Sequence, residues 1–292
     1  MRLLVTGGSG FLGGYVLTEA VRRGHEVIAL ARSEAAARTV AKRGAHPLAG
    51  DLDEAAGLPA VFRTTRCDVL VNLASLGFGH APTIVAAAES AGIGRAVFIS
   101  TTAVTTSLPA RSREMRLLAE DQIRRSDIDW TILRPTMIYG DAGDRNLSRL
   151  LMMLRRTPVL PVPGGGGRLQ QPVHVADVAD AVLSAAGQPA PATGIYDVAG
   201  PHPLTFSQLL RTAARAVGSR TRFIPVPLGT ALAAARCYEA VSRQPRIRAE
   251  QLQRLAEDKA FVVEPAIRDL GYAPRTFAEG IQAEARALGL AA

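Results

Sequence analysis

The stretch L-L-V-T-G-G-S-G-F-L-G, residues 3–13, decides the fold. Leu3–Thr6 predicts a buried strand, and glycines at positions 7, 10 and 13 then lead into an amphipathic helix. In such a G-x-x-G-x-x-G turn, one glycine allows the tight bend, one lets the backbone approach a pyrophosphate, and one lets the helix pack on the strand. The helix N-terminus adds free N–H groups and a positive dipole end.

The stretch therefore predicts a dinucleotide phosphate site, with a merely flexible turn as the alternative. The strand before the glycines and the helix after them favour the phosphate site, because a glycine pattern alone would be a weak signal. The predicted contacts are Gly7, Gly8, Ser9, Gly10, Phe11, Leu12 and Gly13.

The rest of the first half alternates short apolar runs with helical patterns. The runs are apolar throughout, which is typical of parallel strands buried on both faces. The strand candidates are Leu3–Thr6, Glu26–Ala31, Val69–Leu73, Ala96–Ser100 and Thr131–Arg134. The helix candidates between them are Gly13–Arg22, Glu34–Arg43, Ala81–Ala91 and Glu114–Ser126. This alternation predicts an α/β fold with a doubly wound parallel sheet, a Rossmann fold.

The second half has a more mixed pattern. We predict a dinucleotide-binding core over residues 1–155, to which residues 170–186 and 194–200 return, and a smaller C-terminal substrate lobe over residues 156–292. Pro158–Arg168 contains four consecutive glycines and is predicted to be a loop. His174–Ala186 and Thr205–Val217 are predicted helices, and Thr205 with Gln208 gives the second a capping-box signature.

Composition narrows the class of protein. The net charge is +8, but no run of five or six like charges occurs, so a nucleic-acid partner is not expected. Two widely spaced cysteines indicate a reducing compartment without a disulfide framework. The most apolar late segment, Val226–Val241, is interrupted by proline, glycine and arginine and does not predict a membrane span. We expect a cytoplasmic protein with a small-molecule substrate and no membrane partner, and a homodimer stays open.

The end of the second predicted strand bears on the choice of nucleotide. An NAD-selective site places a carboxylate here to bind the ribose 2′-hydroxyl. This chain has Arg32 and Ser33 instead, which suit a 2′-phosphate. NADP(H) is therefore favoured over NAD(H), with an ordinary exposed arginine at a helix start as the alternative.

Further motifs follow in a fixed order along the chain. They are T-G-G-S-G-F-L-G at 6–13, G-D-L at 50–52, N-L-A at 72–74, S-T-T-A-V at 100–104, W-T-I-L-R-P at 130–135, I-Y-G at 138–140 and V-H-V-A-D-V-A at 173–179. In combination they resemble the extended short-chain dehydrogenase/reductase superfamily, especially its atypical branch of NAD(P)-dependent epimerase/dehydratase-like proteins. The resemblance implies cofactor contacts at Asp51 and Leu52, which border the adenine, and at Leu73, Ala74, Ser100 and Pro135.

The catalytic dyad of that superfamily is missing. Its members use a tyrosine and, four residues later, a lysine that lowers the tyrosine pKa, because a free phenol with a pKa of about 10 is a poor base at neutral pH. Alignment on W-T-I-L-R-P places Ser112 and Arg116 at these positions. The chain has no tyrosine between Tyr15 and Tyr139, so a shifted alignment does not restore the dyad. An Arg116–Glu120 surface ion pair is the plainer interpretation of Arg116.

Two further residues are catalytic candidates beside Ser112 and Arg116. Thr101 fills the superfamily's Ser/Thr position and could orient a substrate oxygen, or it could only cap a strand end. His80 has a side chain suited to acid–base chemistry and is placed near the expected nicotinamide end, or it is an ordinary loop histidine. No metal site is predicted, since His174 and Asp177 alone, three residues apart, do not make one.

Two hypotheses of function remain. The favoured one is an NADP(H)-binding oxidoreductase or epimerase/dehydratase-like enzyme that acts on a small polar or nucleotide-linked metabolite with a non-standard acid and base. The other is a non-catalytic dinucleotide-binding redox sensor or scaffold subunit. An exposed apolar face around Leu228–Val241 would favour a binding partner.

Overall fold

The computed structural model describes residues 1–108, 112–144, 146–188, 193–242, 249–255 and 257–291. The strands are β1 (Arg2–Thr6), β2 (Glu26–Ala31), β3 (His46–Ala49), β4 (Val69–Asn72), β5 (Arg95–Ile99), β6 (Asp129–Pro135), β7 (Ile138–Tyr139), β8 (Val159–Pro163), β9 (Leu169–Gln170), β10 (Val173–His174), β11 (Gly194–Val198), β12 (Leu204–Thr205) and β13 (Arg222–Val226).

The helices follow the same chain order. They are α1 (Phe11–Arg22), α2 (Glu34–Ala41), α3 (Leu58–Thr65), α4 (Ala81–Ser90), α5 (Arg113–Arg124), α6 (Leu147–Leu154), α7 (Val175–Gly187), α8 (Phe206–Ala216), α9 (Leu228–Val241), α10 (Ala249–Leu255), α11 (Glu264–Leu270) and α12 (Phe277–Ala287). Short 3-10 turns occur at Leu76–Phe78, Thr102–Thr105 and Gly164–Gly166.

A seven-stranded sheet in the order β11-β6-β5-β4-β1-β2-β3 forms the centre of the first unit. Its strand pairs are all parallel. The order reverses between β1 and β4, as in doubly wound nucleotide-binding folds, so the predicted Rossmann sheet is confirmed. The edge strand β3 was not predicted, because it is short, contains Pro47 and is largely exposed, so it lacks the apolar run of a central strand.

The core of this unit lies where α4 and α5 cover one face of the sheet. Leu70, Phe98 and Ile132 come from three neighbouring strands, and Ile84 and Ile123 come from the helices. All five are essentially inaccessible to solvent. Burial of each such side chain contributes about 1.5–3 kcal/mol, so this cluster fixes the sheet on which the site is built.

The chain divides into two compact units. The first contains Met1–Thr136, Val175–Val198 and Val262–Ala273, and the second contains Met137–His174, Ala199–Phe261 and Pro274–Ala292. The first boundary thus lies at Thr136, whereas the sequence-based division placed it at residue 155. Residues 262–273, assigned from sequence to the substrate lobe, belong to the first unit because α11 packs against α7 and β11.

In the described part of the second unit, the secondary structure consists of three two-stranded ribbons and several helices. The ribbons are β10-β7, β12-β9 and β13-β8. The prediction that Pro158–Arg168 is a loop was wrong for its first part, since Val159–Pro163 pairs in parallel with Arg222–Val226. Prolines are tolerated there because each strand has a free edge. The predicted capping box at Thr205 and Gln208 is present at the start of α8.

Tyr139, Leu151, Leu209 and Ile281 form part of the core of the second unit. Gly280 of α12 lies directly against the Tyr139 side chain, so a larger residue there would displace the ring. Among the helices of the described residues, none combines the length and apolarity needed to cross a membrane.

Candidate functional site

The glycine loop between β1 and α1 is shaped by close backbone approach. Gly7 has φ +71°, and a Cβ atom on it would lie 2.7 Å from the Ala74 backbone nitrogen. A Cβ atom on Gly13 would lie 2.5 Å from the carbonyl oxygens of Gly7 and Gly8. Both positions therefore require glycine, as a loop that wraps closely around a pyrophosphate does.

The N-terminus of α1 leaves its first N–H groups available to an anion. Gly10 is the N-cap and, having no side chain, gives no capping hydrogen bond. The first turn of a helix has N–H groups without intrahelical acceptors, and the N-cap residue supplies no side-chain acceptor for them here. Gly10 and its neighbour Ser9 are exposed. These features fit the phosphates of a dinucleotide, as predicted for residues 7–13.

The strand ends beneath this loop are held together by a buried hydrogen bond. Thr6 Oγ1 donates to Asn72 Oδ1 at 2.5 Å, and both residues are completely buried. Asn72 Nδ2 donates in turn to the Ala74 carbonyl oxygen at 3.1 Å, and the Leu73 N–H donates to the Thr6 carbonyl at 3.0 Å. Leu73 and Ala74, both predicted to contact the cofactor, are thereby fixed against the glycine loop.

A cleft of about 490 Å³ lies beside the carboxyl ends of β2 and β3. Its lining includes Arg32, Ser33, Gly50 and Asp51. Arg32 forms no ion pair with any residue that the structure describes. Ser33 caps α2 by accepting from the Ala36 N–H at 3.2 Å, so its own hydroxyl hydrogen stays free to donate. The cleft therefore offers a cation and a hydroxyl donor at the position predicted for a 2′-phosphate.

Asp51, Leu52 and Asp53 follow β3 at the rim of this cleft. Asp51 Oδ1 accepts from the Asp53 N–H at 3.1 Å, which shapes the turn. Asp51 and Leu52 are half-buried and stay accessible to a nucleobase, the role that the family resemblance implies.

Ser112 and Arg116 lie together against the 3-10 turn that follows β4. Arg116 Nη1 donates to Ser112 Oγ, and Arg116 Nη2 lies 3.5 Å from Ser75 Oγ. A Cβ atom on Gly77 would lie 3.1 Å from Ser112 Cβ and 3.3 Å from Arg116 Cζ, so the turn is packed closely on both side chains. Burial lowers the pKa of the Arg116 guanidinium below its ordinary range.

The interpretation of Arg116 and Glu120 as a surface ion pair was wrong. Glu120 is 3% exposed and accepts from Ser100 Oγ at 2.5 Å and from Arg134 Nε at 3.0 Å. The salt bridge of Glu120 is with Arg134, one turn away from the Arg116 cluster. Arg116 is directed instead to the two serine hydroxyls.

Ser100 and Thr101, at the end of β5, have different environments. Ser100 is buried and its hydroxyl is engaged by Glu120, so its predicted cofactor contact would have to come from its backbone. Thr101 is half-buried, and its Oγ1 accepts from the Ala103 N–H at 3.2 Å while the hydroxyl hydrogen remains available. Pro135 is buried and its carbonyl accepts from Thr102 Oγ1 at 3.4 Å.

His80 lies in the loop before α4 and contacts the turn that follows β3. Its Nε2 is 3.5 Å from Asp53 Oδ1, and Asp53 belongs to the turn after β3 that the adenine motif occupies. The residue before His80 lies near α5 instead, since a Cβ atom on Gly79 would be 3.5 Å from the Met115 sulfur. The structure therefore brings Ser112, Arg116 and Ser75 together and places His80 against Asp53.

The fold and these contacts can now be compared with known proteins. Residues 7–189 match the NAD(P)H-binding family. The chain belongs to the NAD(P)H-binding family. This assignment agrees with the atypical short-chain dehydrogenase/reductase resemblance, which is confirmed.

Two relatives of the family bear on function. The 4-hydroxy-2-methyl-3-oxo-4-farnesyl-3,4-dihydroquinoline-1-oxide ketoreductase of Stigmatella aurantiaca is 30% identical over 97% of this chain and 95% of its own length. The mitochondrial NADH dehydrogenase [ubiquinone] 1 alpha subcomplex subunit 9 of Arabidopsis thaliana is 28% identical over 80% of this chain and 63% of its own. Among solved structures, UDP-glucose 4-epimerase of Thermotoga maritima has a TM-score of 0.73, with 17% identity over 98% of each chain. That likeness shows the shared fold.

Three features of this NAD(P)H-binding protein were missed from the sequence. The Ser100–Glu120–Arg134 cluster joins residues far apart in the chain, so no local pattern shows it. Ser75 directly follows the N-L-A motif, and this position next to a recognised motif was the one sequence feature that could have identified it. The third is the apolar rim beside Arg116, where Phe78 is 75% and Met115 43% exposed.

Proposed function

We propose that this protein is an NADP(H)-dependent reductase of a carbonyl group on an apolar small molecule. The observation that carries the proposal is the cluster of Arg116 with the Ser112 and Ser75 hydroxyls, which stands where the superfamily has its tyrosine and lysine. The cluster belongs to the same unit as the glycine loop and the Arg32 cleft. When bound, the reduced nicotinamide supplies the hydride, and this chain's residues have to bind and polarise the acceptor.

The preference for NADP(H) rests on the cleft after β2. Arg32 without an ion-pair partner among the described residues, together with the Ser33 hydroxyl, provides charge-assisted hydrogen bonds for a 2′-phosphate. An NAD-selective site would need a carboxylate in place of Arg32. The family assignment covers both nucleotides, so this preference is our inference from the residues.

Arg116 and Ser112 provide the electrophilic half of the proposed reaction. Because Arg116 donates to Ser112 Oγ, the hydroxyl hydrogen of Ser112 stays free to donate to a substrate carbonyl oxygen. As hydride adds to the carbonyl carbon, negative charge develops on that oxygen, and the nearby guanidinium stabilises it. The alkoxide then takes a proton from water, either directly or through the serine hydroxyls, which gives the alcohol.

An apolar substrate is favoured by the surface next to this cluster. Phe78 and Met115, which are large apolar side chains exposed to solvent, directly adjoin Gly77 and Arg116 in the chain. Exposed apolar groups beside polar donors are typical of a small-molecule site. The relative from Stigmatella aurantiaca is a ketoreductase for a farnesyl-bearing quinoline oxide, which agrees with this reading. The proposal replaces our sequence-based expectation of a polar or nucleotide-linked metabolite.

A non-catalytic dinucleotide-binding subunit is the second candidate. It is favoured by the absence of tyrosine between Tyr15 and Tyr139, since no phenol is available as the usual proton donor. It is favoured also by similarity to a subunit of the mitochondrial NADH dehydrogenase. This candidate predicts nucleotide binding without turnover of any ketone.

Binding and turnover together separate these candidates. Nucleotide-stripped protein is titrated by calorimetry with NADPH and then with NADH, and NADPH oxidation is followed with a panel of alkyl-substituted ketones and 3-oxo esters. We expect tighter binding of NADPH, and turnover that falls in Ser112→Ala and Arg116→Gln but not in Arg124→Gln, a control at the exposed end of α5. Binding without turnover supports the subunit. No binding of either nucleotide contradicts both candidates.

A further inference from the structure

Helix α9 of the second unit is apolar and yet largely exposed. Arg236 and Glu239 are the charged residues among its 14 residues. Ala235 is its one buried residue. A helix that is apolar around its circumference is normally covered by protein or by lipid.

One side of α9 is an uncharged stripe. Thr230, Ala234, Cys237 and Val241 recur at helical spacing on one side of the helix, and Tyr238 is adjacent. Val241 is 87% exposed and Tyr238 42% exposed. Glu239 is directed elsewhere, because its Oε1 accepts from the Ala249 N–H at 3.0 Å at the start of α10. The stripe therefore presents apolar atoms to the surroundings without a carboxylate.

Positive charge is concentrated in the segment of sequence that contains this helix. Residues 211–248 contain eight arginines and one acidic residue, Glu239. This segment therefore has a net charge of +7, and the net charge of the whole chain is +8. Within the described residues, Arg220, Arg222 and Arg236 are exposed and form no ion pair. The arginines at 243, 246 and 248 lie outside the described residues and enter only as sequence charge.

We propose that α9 docks this protein on the surface of an anionic lipid bilayer. Val241, Tyr238 and Cys237 would insert at the boundary between headgroups and acyl chains, and Arg236 would bind the phosphate headgroups. The expectation of no membrane partner rested on the absence of a spanning segment, and a helix that lies on the surface needs none. The inference goes beyond the proposed reductase function and does not depend on it.

Two other occupants fit the surface less well. A second copy docked through the same face would bring the arginines of both copies together, and like charges across a symmetric contact oppose association. A nucleic acid would engage the arginines but would leave the apolar stripe exposed, whereas a lipid surface uses both. Charge and apolarity together therefore select the anionic bilayer.

Vesicle sedimentation with the full-length protein tests this inference. The probes are vesicles of phosphatidylcholine alone and of phosphatidylcholine mixed with phosphatidylglycerol. We expect binding to the mixed vesicles, weakened by added salt, and little binding to the neutral ones. Arg236→Gln should weaken binding about fivefold, as expected for one arginine near an anionic surface. Val241→Glu should weaken binding about tenfold or more, because it places a carboxylate in the stripe.

Matched controls exclude general effects of charge and folding. Arg63→Gln removes an exposed arginine from α3, and Met152→Glu places a carboxylate at a 47% exposed apolar position of α6. Neither control should alter vesicle binding, and all four variants should keep the parent melting temperature and NADPH affinity. Because the assay needs no turnover, failure of the reductase proposal would not affect its outcome.

Four outcomes would overturn the proposal. One is no binding to either vesicle type, and another is binding that Val241→Glu leaves unchanged. A third is a concentration-dependent dimer by light scattering that Val241→Glu dissociates, which would make the stripe an interface between copies. The fourth is retention on duplex DNA without vesicle binding.

Discussion

Glu120 and Arg134 form a buried salt bridge that joins α5 to β6. Arg134 Nε donates to Glu120 Oε1 at 3.0 Å, and Ser100 Oγ donates to the same oxygen at 2.5 Å. Asp197 of β11 is also near Arg134, and burial raises the pKa of its carboxyl while Arg134 opposes that rise. Glu120 of α5 thus joins Arg134 of β6 to Ser100 at the end of β5, and this cluster fixes α5, whose N-terminal end carries Ser112 and Arg116.

We predict that Glu120→Ala lowers the free energy of unfolding by about 3–5 kcal/mol, because it leaves the Arg134 charge buried without its main partner. Urea denaturation measures the change. Asp121→Ala is the matched control, since Asp121 forms an exposed i,i+4 pair with Arg125 and its loss should cost less than about 1 kcal/mol. Equal losses of unfolding free energy in the two variants would show that the Glu120–Arg134 salt bridge does not stabilise the packing of α5 on the sheet.

We predict that Gly7→Ala destroys dinucleotide binding, whereas Gly92→Ala does not. Both glycines have a positive φ, +71° for Gly7 and +73° for Gly92, so both substitutions incur backbone strain of about 1–2 kcal/mol. Only at Gly7 would the new Cβ atom meet backbone, since Gly92 has no atom within 4 Å of that position. Thermal melts report the strain, and calorimetry with NADPH reports binding. Retention of NADPH binding in Gly7→Ala would contradict the close-approach interpretation.

We predict that Arg32→Ala weakens NADPH binding roughly 10- to 100-fold and leaves NADH binding nearly unchanged, because a hydrogen bond to a charged group contributes about 1.5–3 kcal/mol. Calorimetric titration with each nucleotide gives the ratio. Arg63→Ala, which removes an exposed arginine from α3, should alter neither affinity. If Arg32→Ala weakens the binding of NADPH and NADH equally, Arg32 does not bind the 2′-phosphate.

We predict that Arg116→Gln lowers kcat for ketone reduction by about 100- to 1000-fold without changing NADPH affinity, as expected for loss of a group that stabilises developing oxyanion charge. The kcat of the parent protein should be nearly independent of pH between about 6 and 9, because a guanidinium does not titrate in that range. A bell-shaped profile would instead indicate a titrating acid or base that the cluster lacks. Arg124→Gln should behave like the parent.

We predict that Glu284 makes the protein less stable as pH rises. Burial, with the nearby carboxylates of Asp144 and Asp141, raises the pKa of Glu284 to about 9. The folded state therefore keeps a proton that the unfolded state releases above its ordinary value of 4.5, so stability falls between about pH 5 and pH 9. Glu284→Gln should remove this slope and stabilise the protein by roughly 2 kcal/mol or more at pH 8.

Urea denaturation at a series of pH values measures that slope. Glu250→Gln, at an exposed pair with Arg254 in α10, should leave it unchanged. A Glu284→Gln variant with the same pH dependence as the parent would mean that Glu284 ionises normally in the folded protein.

The sheet was predictable because each of its central strands has a recognisable pattern in its own stretch of sequence. Leu3–Thr6 and Val69–Asn72 are apolar runs buried on both faces, and the glycines after the first of them leave few alternatives. The short edge strand His46–Ala49 and the ribbon strand Val159–Pro163 were not recognised, because exposure and proline remove the apolar signal. A continuous apolar run therefore indicates a strand that is buried on both faces, and it does not reveal strands that are exposed.

The site was predictable only in part for a related reason. Gly7, Arg32 and Ser112 were located from motifs with a fixed spacing, and their positions follow from the strands that precede them. The partner of Arg116 was predicted wrongly, because an i,i+4 pattern suggests Glu120, whereas Glu120 pairs with Arg134, a half-buried arginine of β6. Local spacing cannot show that competition, since Arg134 reaches Glu120 only after the sheet and helix have packed.

The Thr6–Asn72 hydrogen bond has a consequence for how the nucleotide is exchanged. Since it is completely buried and lies under the glycine loop, the two strand ends cannot separate without exposing it. The loop therefore holds its binding geometry before any ligand arrives, and little conformational entropy is lost on association. Release should accordingly be limited by breaking contacts with the nucleotide itself and not by a refolding of the loop. A preorganised loop of this kind favours tight binding of the nucleotide.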